Sequence, residues 1–110
     1  MDMLNRSEEY KFAPGELVVD VTHNVRGVII DSDPEFCLSD AWYSATFKDR
    51  PLKSQPWYHV LVDHTSEARY VPEQYLLRDE TLAPIKHPLI GHYFNKFNHG
   101  AYQFVRSTGA

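Results

Sequence analysis

The 110 residues are 43% hydrophobic, 14% aromatic and 24% charged, which supplies one domain with one modest core and excludes a wholly disordered chain. Fifteen acidic against eleven basic residues give a formal charge of -4, so any grip on nucleic acid must come from a local patch rather than the bulk balance. A single cysteine, Cys37, excludes an internal disulfide and fits a reducing compartment; with no apolar run of signal-peptide or membrane-spanning kind, the sequence predicts a soluble, cytoplasmic protein.

Residues 1–10 are polar and mixed in charge and read as a loose lead-in. Structure is expected from "KFAPGELVVDV", where Pro14-Gly15 marks a turn and Leu17, Val19 and Val21 alternate with Val18 and Asp20 as in a half-buried strand. The polar "THNVRG", closed by Gly27, leads into the β-branched Val28, Ile29 and Ile30, predicting an antiparallel partner. Asp33-Pro34 then favours a turn, and Ser39-Asp40 can cap a short helix from Ala41 to Phe47. "KDRPLKSQP" holds the one dense basic run, Lys48, Arg50 and Lys53, between Pro51 and Pro56 and reads as an exposed loop.

"WYHVLVD" is the next strand, with Tyr58, Val60 and Val62 on the expected core face and Trp57, His59, Leu61 and Asp63 on the other. A polar turn returns through "RYV", and "PEQYLL" forms a proline-initiated helical turn. After the link "RDETLAP", the spacing of Leu89, Tyr93, Phe94 and Phe97 predicts a short C-terminal helix after Pro88. The expected organisation is one domain over 11–98 and a frayed tail over 99–110. Its fold class is mainly β: a small, strongly bent antiparallel sheet or barrel with short helical insertions and a C-terminal helix.

Six histidines raise the question of a metal, but His59/His64 and His87/His92 are five apart, which suits neither a helix face nor a strand face, so no metal site is expected. Cys37, between Phe36 and Leu38, reads as a packed thiol, and Asp31, Asp33 and Glu35 as turn acids that are solvated or accept backbone N–H bonds. No phosphate loop, nucleophile elbow or histidine–carboxylate motif is present, so neither catalysis nor a cofactor is expected. Trp57 beside "KDRPLK" could stack a base while cations hold the backbone, or it could cover the end of the sheet. An outward Trp57 and Leu61 could equally meet a partner or a second copy.

The blocks "GELVVDVTHNVRGVIIDSDPEF", "QPWYHVLV", "YVPEQYL" and "IKHPLIGHYF" resemble, in this order from about Phe12 to Phe97, the HspQ family, also called the YccV-like hemimethylated-DNA-binding domain. The resemblance implies an SH3-like β-barrel and a heat-shock protein without catalytic activity. It also implies two roles: binding hemimethylated DNA near replication origins, and promoting degradation of denatured or regulatory proteins, including DnaA, through the Lon protease. Val19-Asp20 stands where family members often carry Arg-His, which lowers the local positive potential and turns the expectation toward degradation. The expected partners are then a Lon-like ATP-dependent protease or its clients, met by Trp57, His59, Leu61, Lys48, Arg50 and Lys53. The alternative is a DNA-binding module using Arg26, Lys48, Arg50, Lys53 and a stacking Trp57.

Overall fold

The computed structural model describes residues 10–104. β1 (Leu17–Asp20) and β2 (Val25–Asp33) form the expected antiparallel pair, joined by a turn in which Asn24 takes the left-handed conformation that its short polar side chain tolerates. The turn closes before Gly27, which lies inside β2 opposite Val18 and Val62. A Cβ there would sit 2.4 Å from Val60 Cγ1 and 2.6 Å from the Leu61 carbonyl oxygen, so only glycine lets β3 come this close.

Helix α1 (Asp40–Thr46) starts where its cap predicts: the Ser39 hydroxyl accepts the Trp42 N–H at 3.1 Å. β3 (Trp57–Val62) pairs with β2 on one side and β4 (Ala68–Pro72) on the other. A single helical turn, Glu73–Tyr75, then feeds β5 (Leu76–Arg78) back alongside β1. The sheet order is β4-β3-β2-β1-β5.

The expected SH3-like barrel is not what forms. The chain builds a five-stranded and a two-stranded sheet, and neither closes: the outer strands β4 and β5 do not pair, and β5 is only three residues long. The C-terminal helix also needs correction. α2 covers only Ile90–Tyr93, and the chain continues extended as β6 (Phe94–Asn98), turns at His99-Gly100, and pairs back as β7 (Ala101–Phe104). The apolar spacing that suggested a helix fits equally a strand with a register shift, which occurs between Phe94 and Lys96. Part of the expected frayed tail is therefore β7, and the ordered unit reaches Phe104. Residues 105–110 and, apart from Tyr10, the expected lead-in lie outside the described residues. Among the described residues no helix is long and apolar enough to cross a membrane.

β3 is buried on both alternations, not one. Tyr58 and Val60 are sealed as expected, but so are Trp57 and Leu61, each 0% exposed. Trp57 is enclosed by Phe36 (ring centroids 4.9 Å), Tyr70 (5.3 Å) and Phe47 (5.5 Å), and its indole N–H donates to the Lys53 carbonyl at 3.3 Å. Leu61 belongs to a second cluster with Leu17, Val28, Ile85, Phe94 and Tyr102, where the C-terminal hairpin packs on the large sheet. The Tyr102 hydroxyl anchors the hairpin by accepting the Ile85 N–H at 2.9 Å.

Arg26 is a clamp rather than a free cation. Its Nε donates to Asp79 Oδ2 and its Nη1 to Asp63 Oδ2, both at 2.8 Å, while Nη2 donates to the Ala83 carbonyl. β2 is thereby tied to the β3–β4 turn and to the segment after β5. Desolvation alone would raise the Asp79 pKa, yet the Arg26 bond, two bonds from Thr81 and the guanidinium charge together hold it below the ordinary aspartate value.

Two consequences are measurable. Trp57→Ala removes the hub of the aromatic cluster and is expected to cost about 3–5 kcal/mol in urea unfolding; a loss under about 1 kcal/mol would contradict its central place. A carboxyl depressed in the folded state contributes stability above its unfolded pKa and loses it as pH falls through the folded one. Unfolding free energy should thus drop below about pH 4, and Asp79→Asn should flatten that limb in a pH series of denaturant melts.

Candidate functional site

A cleft of about 540 Å³ opens between three segments that the fold brings together. Asp20, Thr22 and His23 come from the end of β1 and its turn, Arg69 and Tyr70 from β4, and Trp42 and Phe47 from α1 and its end. Leu38, 43% exposed, stands at the rim. The volume falls within the range of sites that hold ligand side chains or small molecules, and Trp42, Phe47, Tyr70 and Tyr75 give its walls an aromatic share.

The polar floor is ordered around buried Asp20. Its Oδ1 accepts the Thr22 hydroxyl at 2.6 Å and the Thr22 N–H at 3.0 Å, and its Oδ2 lies 3.2 Å from His23 Nδ1. Arg69 Nη2 reaches the His23 ring, 2.9 Å from Nε2. Arg69 Nε is buried without a hydrogen-bond partner among the described residues, and Asp20 Oδ2 is 3.8 Å away. At the far wall Tyr70 donates to Asp33 Oδ2 at 2.6 Å and accepts the Cys37 N–H at 3.1 Å. Burial first, and the Asp33 bond second, push the Tyr70 hydroxyl pKa well above its usual value, so it stays a neutral donor.

The residues anticipated from the sequence are only partly gathered here. His59, 36% exposed in its side chain, lines the cleft, its ring 4.6 Å from that of Tyr70 and its Nε2 3.6 Å from Asp33 Oδ2. Lys48 is exposed and lines an adjoining hollow of about 350 Å³ that shares Thr22, His23, Phe47, Arg69 and Tyr75 with the cleft. Arg50 is exposed with its Cζ 5.7 Å from the Tyr43 ring centre. Lys53 is half-committed: its ammonium bonds Asp40 Oδ1 at 2.7 Å and sits 4.5 Å from the Tyr43 ring centre.

Trp57 and Leu61 lie in the interior, so the outward strip on which partner docking, base stacking and self-association were expected to rest does not exist. Arg26 is taken up by its clamp and is not available to phosphate in this structure. Cys37 is exposed rather than packed; desolvation, then Asp33 and Glu35, raise its thiol pKa, which keeps it protonated and a poor nucleophile.

Trp42, Tyr70, His23 and Arg69 are among the cleft residues that sequence reasoning missed. Trp42 was visible within the predicted helix and Tyr70 within the return strand, but His23 and Arg69 are 46 residues apart and no local pattern joins them. Among the described residues no three His, Cys, Asp or Glu side chains gather as metal ligands.

No solved structure matches the chain. The family model described as "Hemimethylated DNA-binding protein YccV like" matches residues 10–101, which spans the five-stranded sheet, β6, the cleft and the basic loop and ends as β7 begins. The chain therefore belongs to the YccV-like, or HspQ, family of small non-catalytic domains associated with hemimethylated DNA and with heat-shock and protease-adaptor roles.

Proposed function

We propose that this chain is a cytoplasmic DNA-binding module that recognises a duplex methylated on one strand. The observation that carries the reading is the family match over residues 10–101. The loop after α1, outside the cleft, supports it: Lys48 and Arg50 are exposed there and Lys53 is beside them, cations that can hold a duplex backbone. A degradation factor acting through Trp57 and Leu61 has lost the surface it needed, because both side chains are in the core. Arg26 likewise leaves the set of phosphate contacts, which is reduced to Lys48, Arg50 and Lys53.

Few cations imply weak, salt-sensitive binding. With about three phosphate contacts the slope of log K against log salt is expected near −3, from roughly −0.9 for each neutralised phosphate. Anisotropy titrations with hemimethylated, unmethylated and fully methylated duplexes of one sequence should rank the hemimethylated form tightest. Lys48→Ala and Arg50→Ala should each reduce the slope by about one without changing that ranking. Equal affinity for the three duplexes, or no binding at about 20 mM salt, removes this reading.

A further inference from the structure

β4 is an edge strand, and the cleft runs along its open side. The Val62 N–H bonds the Glu67 carbonyl at 3.1 Å, which sets the alternation of the β3–β4 ladder. Arg69, opposite Val60, and Val71, opposite Tyr58, consequently turn their N–H and C=O groups toward β3. Those of Ala68 and Tyr70 point away from it, and among the described residues no strand takes them up. Ala68, Arg69, Tyr70 and Val71 all line the cleft in unbroken sequence. Side chains alternate across a strand, so four consecutive residues can border one groove only if the strand presents its edge.

The segment from Leu38 to Phe47 brings the apolar side chains of Leu38, Trp42 and Phe47 to the same cleft, beside the polar floor of Asp20, Thr22 and His23. Backbone donors and acceptors left open along a strand edge, with apolar side chains in the same cleft, are complementary to an extended peptide, whose own backbone repeats the same alternation. Nucleic acid offers no such repeat, and the acids Asp20 and Glu67 lining the cleft oppose its phosphates. Arg69 is committed, with its Nε buried 3.8 Å from Asp20 Oδ2 and its Nη2 2.9 Å from His23 Nε2, so the accessible cation is the exposed ammonium of Lys48 in the adjoining hollow.

We propose that the cleft takes an extended peptide segment that adds as a strand to the outer edge of β4. It pairs with the backbone of Ala68 and Tyr70, sets one large apolar side chain against Leu38, Trp42 and Phe47, and directs one acidic side chain to Lys48. This site goes beyond the DNA reading and does not depend on it.

The test uses the full chain and fluorescein-labelled Gly/Ser decapeptides, each carrying one Phe and one Asp at separations of one to three residues in either order. At least one should bind saturably. Methylating its alternate backbone nitrogens should weaken it at least tenfold, because only a strand-adding mode needs those N–H groups. Ala68→Pro, which removes an outward N–H at a position where β3 needs none, should weaken it similarly while leaving duplex affinity within twofold. Amide signals of Ala68 and Tyr70 should shift on peptide addition. Three results overturn the proposal: no peptide binding at about 1 mM, equal binding of the N-methylated form, or sedimentation showing that the edge is occupied by a second copy of the chain. A failure of duplex binding with these peptide results intact would overturn the DNA reading alone.

Discussion

Trp57 stands where segments distant in sequence meet. Tyr70 of β4 stacks on it at 5.3 Å with an interplanar angle of 27°, Phe36 meets it edge-on from the segment before α1, and Phe47 does so from the end of α1. The long excursion between β2 and β3 is thus folded against the sheet by ring packing. The position of α1 fixes one bank of the cleft, and the position of Tyr70 fixes part of the other. A site made of β4, α1 and a turn owes its shape to a side chain that is not itself in the site.

Polar anchors complete the arrangement. Three buried tyrosines, Tyr58, Tyr70 and Tyr75, donate to Glu73, Asp33 and Asp49, and each hydroxyl pKa is raised by burial first and then by its carboxylate. A neutral phenol that donates a hydrogen bond to a carboxylate satisfies the buried donor and keeps the acid's charge near the surface. Arg26 serves the same end with a charge, joining Asp63 and Asp79 across the sheet. The apolar packing sets how the layers sit, and these bonds set which loop goes where.

Much of this was legible locally. The β1–β2 pair, the Ser39 cap and the β3–β4 return follow from turn residues and alternation within a few positions, and the ordered blocks from Phe12 to Phe97 pointed to the family whose model covers residues 10–101. The misreadings share one cause. Alternation assumes that a strand has a wet face, and nothing near Trp57 announces that Phe36, Tyr43 and Phe47 return to cover it. Arg26 looked free because its carboxylates lie 37 and 53 residues further on. Phe94 and Phe97 fit a helical spacing as well as a strand, and the decisive signal was the Asn98-His99-Gly100 turn followed by "AYQF".

The C-terminal hairpin is joined to the large sheet late in the chain, through Phe94, Tyr102 and the bridge between Glu16 and Ala101. During synthesis Leu17, Val28 and Leu61 must wait for those rings to emerge, so the nascent sheet carries an oily, uncovered side until Phe94 and Tyr102 leave the ribosome. A polypeptide ending at Asn98 would keep that side permanently bare, inviting clumping rather than simple unfolding.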